Sequence, residues 1–333
     1  MVRDPGREGE PSCLVVGAGI AGLSAARELH RCGIQVTLLD KARGVGGRMA
    51  TRRFGGAVFD HGTQYFAPGS AWFQSRIAEW IDEGVACEWF RVQRYEMDDR
   101  FLSSARYRGH PTMTSIPKIL ASGLPVHTGD RVMSLTADTA GWTAITAKGS
   151  HISARSCILT PPVPQTLELL DASALGHAIP QRETLEDLVY EPCLALMVLC
   201  DRRPLMPEHG VLEFARGNLR RIMDNQRKGV SPDVPAVTIH ATGSFSAIHF
   251  EDDEKTVADL LLDEALPMLR CGASSWQLHR WRYSQVITTH PEPFFQITDD
   301  PPLVVAGDAF GLNGVEGAAR SGIEAARRIL HLL

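Results

Sequence analysis

The apolar positions of the chain change their spacing along its length, and each change marks an element. Unbroken apolar runs at 14–16 and 36–39 read as short buried strands, with a helical pattern between them. Residues 70–84 place Trp72, Phe73, Ile77, Trp80 and Ile81 on one helical stripe, which reads as core packing. A second short helix is predicted at 113–120. Strands follow at 124–128, 130–137, 141–147 and 151–159, with a turn at 138–141 that makes a meander. Thr160-Pro161-Pro162-Val163-Pro164 ends that pattern and marks a crossover. Beyond it, strands at 194–199, 211–214, 234–240 and 276–283 alternate with helical segments, one of them at 253–270. An apolar strand at 303–306 then runs through small residues into a helical pattern carried by Ile323, Ala326, Ile329 and Leu330.

The first strand runs into Gly17-x-Gly19-x-x-Gly22, and Asp40 closes the second. Strand, glycines, helix, strand and acid in this order form a dinucleotide-binding fingerprint. Gly17 permits the tight turn, Gly19 lets backbone approach a pyrophosphate, and Gly22 lets the helix lie on the strand. Gly19, Ile20, Ala21 and Gly22 open that helix, whose free N–H groups suit phosphate. Asp40 is placed to accept hydrogen bonds from ribose hydroxyls. Directly after it stands Lys41-Ala42-Arg43-Gly44-Val45-Gly46-Gly47-Arg48-Met49. A simple NAD dehydrogenase has no need of this second glycine cluster. Gly46 and Gly47 would let the chain pass beneath an extended FAD, with Arg48 meeting its phosphates. The strand at 303–306 ends in Gly307-Asp308, where an acid suits ribityl hydroxyls. A helix starting near Val315, Glu316, Gly317 and Ala318 would turn its positive end towards the flavin N1–C2=O edge.

Fingerprints at both ends require a discontinuous cofactor domain. The expected fold is α/β: a Rossmann-type FAD-binding domain, with a parallel sheet and a three-stranded meander, and an inserted, mostly antiparallel α+β substrate domain. The cofactor domain is assigned to 12–68, 122–165 and 286–333, the substrate domain to 69–121 and 166–285, and 1–11 to a disordered tail.

A chain of 333 residues with net charge −5 can bury a large core and lacks a nucleic-acid footprint. No apolar run approaches a membrane span and the N-terminal segment lacks the apolar core of a signal peptide. Seven scattered cysteines without C-x-x-C point to reduced thiols and a cytoplasmic protein. No metal-ligand spacing occurs among the twelve histidines, so no metal is expected.

The tracts VVGAGIAGLSAARELHRCGIQVTLLDKARGVGGRM, FDHGTQYF and AGDAFGLNGVEGAARSGIEAA resemble the FAD-dependent amine oxidase superfamily. Within it the tracts at 40–49 and 60–66, with His279-Arg280-Trp281-Arg282-Tyr283, are most similar to the renalase-like branch. One departure is Phe245-Ser246, where that branch usually carries Trp-Ser. The resemblance implies a contact from Val132 to the adenine side of FAD. It also implies oxidation of 2- and 6-dihydro-NAD(P) to NAD(P)+ with oxygen reduced to hydrogen peroxide.

A flavin carries its own redox chemistry, and the protein supplies position, electrostatics and access. His61, Gly62, Gln64 and Tyr65 are expected to reach the isoalloxazine, the alternative being that His61 and Gln64 only satisfy local backbone. Trp281 and Tyr283 share a strand face with His279, and Arg280 and Arg282 take the other. His240, at a strand end, either joins the pocket or only caps a turn. The candidate catalytic set is therefore Gln64, Tyr65, His240, Trp281 and Tyr283. Many flavin amine oxidases hold a lysine near flavin N5. Among Lys41, Lys118, Lys148, Lys228 and Lys255 none is convincing, Lys228 being read as a turn residue. That favours the renalase-like reading over an amine oxidase or desaturase. A flavoprotein with structural FAD is a third reading. With no Cys or His beside the C-terminal motif, FAD is expected to be non-covalent, and the partners are a small-molecule electron donor and O2.

Overall fold

The computed structural model describes residues 12–95 and 101–333. The tail expected at 1–11 lies outside the described residues. The chain divides into two compact units. One combines the described residues up to Gly47 with Pro117–Val189 and Val286–Leu333, and the other combines Arg48–Ile116 with Tyr190–Gln285.

In the first unit, the strand order is Phe295–Asp299, Pro302–Val305, Ser156–Leu159, Ser12–Val16, Gln35–Asp40, Val126–Thr128. The five later members pair in parallel, and Phe295–Asp299 closes one edge antiparallel. Their continuous apolar runs fit strands covered on both faces. Helix Ile20–Arg31 packs along helix Gly314–Leu332, and Leu23, Ala26, Leu29, Ala325 and Ile329 from the two share one core with Val15, Leu38 and Val304. A separate meander orders His151–Ala154, Gly141–Thr146, Val132–Asp138.

The strand expected at 151–159 is two strands in two sheets. Residues His151–Ala154 pair antiparallel with the meander and Ser156–Leu159 pair parallel with Ser12–Val16. Arg155 is the break, its N–H donating to Ser12 Oγ. The pattern changes there too, from alternating burial to four buried residues in a row.

In the second unit a five-stranded sheet runs Val211–Glu213, Leu219–Asp224, Ala236–Ala241, Tyr190–Cys200, Ala273–Val286. One face packs Leu194, Leu196, Val237, Ile239 and Leu278 with Val257, Leu261 and Ala265 of helix Glu254–Leu269. The opposite face meets hairpin Thr51–Phe54/Ala57–Asp60, whose Ala57 and Phe59 cluster with Met197, Leu199 and Ala236. Residues 48–68, expected with the cofactor domain, therefore belong to the second unit. Residues 117–121 and 166–189 belong to the first. Within that unit, Ser173 Oγ accepts from Leu135 N–H and ties helix Val163–Ala172 to the meander.

Helix Ala71–Asp82 buries Phe73, Ile77 and Trp80, while Ile81 is 40% exposed and Trp72 is half-buried. The core stripe is thus narrower than expected. The hairpin Ala86–Tyr95/Phe101–Gly109 and the strand Leu219–Asp224 were not marked by the apolar pattern.

Candidate functional site

The first unit carries a nucleotide cradle. Gly17 has φ +104 and donates its N–H to Leu39 O at 2.7 Å. A Cβ at Gly22 would lie 1.9 Å from Gly17 O, whereas one at Gly19 would meet nothing within 4 Å. The first clash explains why a glycine brings helix to strand. The second leaves free space at the start of Ile20–Arg31, a helix that no side chain caps. Asp40 has a local task as well: its carboxylate accepts from Ala18 N–H at 2.6 Å and Ala42 N–H at 2.7 Å. Each oxygen retains a second lone pair for a hydroxyl. Burial pushes the Asp40 pKa up, opposed by those two amides and by Lys41.

Gly46 donates to Ala18 O at 2.8 Å, so the second glycine cluster is pinned onto the first loop. Gly46 and Gly47 have φ +118 and +53, a backbone only glycine holds readily. Lys41 turns aside to Gln165 Oε1 at 2.8 Å. Val132 is buried at the start of its meander strand. Gly307, at φ +153, donates to Ser321 Oγ at 2.8 Å, and Asp308 beside it is buried. Helix Gly314–Leu332 begins without a side-chain cap, with Val315, Glu316, Gly317 and Ala318 in its first turns. A Cβ at Gly317 would lie 1.6 Å from Leu312 O. Open space over Gly19, two uncapped helix starts and two acids at strand ends suit pyrophosphate, ribose and ribityl groups. FAD fits these residues.

Arg48, expected on the phosphates, belongs to the second unit, where its guanidinium donates to Tyr283 O and Ser284 O at 3.4 and 3.3 Å. Gly62 also lies there. A Cβ on it would sit 2.1 Å from Arg48 O, so the two segments touch through backbone.

Three histidines and a tryptophan of the second unit gather together. His61 lies stacked on Trp281 at 5.2 Å and edge-on to His279 at 4.9 Å. The His61 carbonyl accepts from Trp281 Nε1 at 3.0 Å and faces His240 Nε2 at 3.1 Å. His61 Nδ1 is buried with no partner among the described residues. Burial holds the imidazoles of His61 and His240 down to about 3, and His279 to about 4. At neutral pH the wall is uncharged. As expected, Arg280 and Arg282 take the other face, reaching Phe250 O and Glu251. Tyr283 instead meets Tyr190 at 5.7 Å.

Beside this wall lies a buried ion pair that sequence reasoning missed. Lys228 Nζ is 2.9 Å from Asp60 Oδ2, both side chains at 0% exposure. It also donates to Gln64 Oε1 at 3.1 Å and lies 5.0 Å from the Trp89 ring centroid. Thr51 Oγ1 and Met113 N–H donate to Asp60 Oδ1. Burial pulls the Lys228 pKa down and Asp60 opposes it. Gln226, Arg227 and Gly229 around it give Lys228 the sequence signature of a turn residue. That turn is present, but it turns the one lysine inward. Gln64 Nε2 donates to Asp60 O and Gly62 O, so both ends of its amide are used locally.

Tyr65 is half-buried. Its hydroxyl donates to Glu213 at 2.7 Å, and the guanidinium carbons of Arg221 and Arg106 lie 5.4 and 5.9 Å from its ring centroid. Phe245, the departure from the branch pattern, packs in the opposite core with Leu261 and Ala265. It alters packing there and leaves the histidine wall untouched.

Comparison with known proteins agrees with this geometry. Residues 15–80 match the model of the NAD(P)-binding Rossmann-like domain, and residues 77–330 match that of the flavin containing amine oxidoreductases. Curated relatives match over short segments. Lysine-specific histone demethylase 1B of Mus musculus is 50% identical over 54 residues, 16% of this chain and 6% of its own length. Amine oxidase [flavin-containing] B of Rattus norvegicus is 35% identical over 95 residues, 28% of this chain and 17% of its own. Among solved structures, a putative protoporphyrinogen oxidase from Exiguobacterium sp. 255-15 superposes with TM-score 0.73 at 12% identity, covering 95% of this chain and 98% of that one. Putrescine oxidase bound to putrescine gives 0.71 at 14%, covering 97% and 99%. The chain spans under a fifth of the length of these curated relatives, but the family model spans most of the chain and the cradle has the groups FAD requires: the protein belongs to the flavin containing amine oxidoreductase family.

Proposed function

We propose that the protein is a renalase-like oxidase of dihydronicotinamides, converting 2- or 6-dihydro-NAD(P) to NAD(P)+ while O2 becomes H2O2. The observation that carries this reading is the uncharged wall of His61, His240, His279 and Trp281. A dihydropyridine donor is flat and becomes aromatic as hydride leaves, so it needs a stacking surface and no general base. Bound FAD supplies a two-electron acceptor that O2 restores. Trp281, which is partly exposed, orients the ring by stacking, and buried His61 packs against it. The tracts at 40–49, 60–66 and 279–283 support the same branch.

Lys228 favours a second reading. A fully buried lysine is what amine-oxidising members would require, and putrescine oxidase shares the fold. Against it, the Lys228 ammonium is already held by Asp60 and Gln64. The carboxylates nearby, Asp60, Glu191 and Glu213, all face cations of the protein rather than standing ready for a substrate ammonium.

Anaerobic stopped-flow of the FAD-loaded protein decides between them. We expect 2- or 6-dihydro-NAD(P) to bleach the flavin rapidly, with putrescine and benzylamine slow or inactive. Rapid bleaching by an amine alone would establish the second reading.

A further inference from the structure

We propose that Arg221, beside the Tyr65 ring, forms an anion subsite for a phosphate of the electron donor; this rests on the dihydronicotinamide reading above.

Arg221 stands directly opposite His240 on adjacent antiparallel strands, so its side chain leaves the sheet on the face of the histidine wall. Its Nε is buried and has no acceptor among the described residues. An orphaned, charged N–H donor is costly to keep dry, and an arriving acceptor would relieve that cost. Trp89 Nε1 is a second buried donor without a partner among the described residues, and the Trp89 ring lies 6.3 Å from Tyr65. The guanidinium carbon of Arg106 lies 5.9 Å from the same tyrosine.

The counterion now present is weak. Glu213 is 3.8 Å from Arg221, with its side chain 54% exposed, and it spends its shorter contact on the Tyr65 hydroxyl. A phosphate offers an arginine two parallel hydrogen bonds at shorter range. The surrounding charge has the same sign: Arg106, Arg108, Arg220, Arg221 and Lys228 stand against Asp60, Glu191 and Glu213. That excess suits a phosphorylated donor and repels an ammonium. Stacking on the wall would then select the dihydronicotinamide ring, and Arg221 would select the phosphate attached to it.

The test uses FAD-loaded protein and one pair of donors, 6-dihydronicotinamide mononucleotide and the corresponding riboside, which differ only by phosphate. Wild type should show a lower KM for the mononucleotide. Arg221→Gln should raise that KM about 10- to 100-fold, leaving the riboside KM and the flavin reduction rate at saturation unchanged. Glu213→Gln should lower the mononucleotide KM by removing a competing carboxylate. Raised salt should weaken the mononucleotide selectively. Equal effects of Arg221→Gln on both donors, or none on either, would overturn the subsite. If neither donor reduces the wild-type flavin, the dihydronicotinamide reading fails. The subsite is then judged by perturbation of the flavin spectrum with nicotinamide mononucleotide and nicotinamide riboside. It stands if wild type prefers the mononucleotide and Arg221→Gln does not, and falls if the two bind alike.

Discussion

Single residues in the second unit hold the ionisation state of the wall, and that state has a measurable consequence. Burial lowers His61 and His240 to about 3 from an ordinary 6.5. Between these values the unfolded chain binds protons that the folded chain does not. Stability therefore falls as pH drops below about 6.5, with a slope of about 1.4 kcal/mol per pH unit for each histidine. Melting temperatures between pH 7 and pH 5 should show the fall. His240→Gln keeps a donor towards the His61 carbonyl and should reduce the slope by one histidine's share, since His61 stays depressed. An unchanged slope would mean His240 is protonated in the fold. Lys228 offers a sharper case. Lys228→Met strands Asp60 in a dry site and should cost about 3–5 kcal/mol in urea unfolding. Adding Asp60→Asn should recover part of that loss. A Lys228→Met protein as stable as wild type would show that the ammonium does not stand buried against Asp60. The histidines and Gln64 stand out in the sequence, but the ion pair does not. Asp60, Gln64 and Lys228 lie far apart in sequence, and only folding makes a turn lysine the partner of a strand-end aspartate.

At the scale of elements, the sequence was most readable where backbone geometry dictates residue type. The first strand, the glycine turn and the helix Ile20–Arg31 follow from Gly17, Gly19 and Gly22, and the helix Gly314–Leu332 follows from its apolar stripe. Legibility failed where one apolar run serves two sheets, as at Arg155, and where pairing alone stabilises a strand, as in the hairpin Ala86–Tyr95/Phe101–Gly109. The glycines also separate folding from binding. Gly19 has ordinary extended φ and open space around its missing Cβ, whereas Gly22 faces Gly17 O at 1.9 Å. Gly19→Val should therefore melt like the cofactor-free wild type yet fail to retain FAD. Gly22→Ala should force the helix off the strand and lower the melting temperature even without cofactor. Comparison of the two apoproteins by calorimetry, followed by FAD titration, checks both. Equal destabilisation by the two changes would mean that Gly19 also serves packing.

For the molecule as a whole, the division into two units places nearly every predicted FAD residue in the first and the expected donor residues in the second, with Arg48, His61 and Gly62 as the exceptions. The cofactor motifs at the two chain ends fall in one unit, and they are readable because a pyrophosphate loop has a strict local grammar. It misplaced 48–68, because a hairpin joins whichever sheet offers Met197 and Leu199 as a floor. The cradle predicts how FAD is held. Its groups are glycine backbone, helix starts and the acids Asp40 and Asp308, and neither a histidine nor a cysteine occurs in 307–318 for covalent attachment. Purified protein should carry one FAD per chain and release it on acid or heat denaturation. Cofactor bound at 100 times its Kd should stabilise the fold by about 2.7 kcal/mol. Hydrogen exchange should locate the gain in 14–22, 40–47 and 307–318, the segments expected to bury their amides against the ligand. FAD remaining on the polypeptide after denaturation would refute the non-covalent cradle. Protection spread evenly over both units would show instead that the cofactor stabilises the chain by a route other than these three segments.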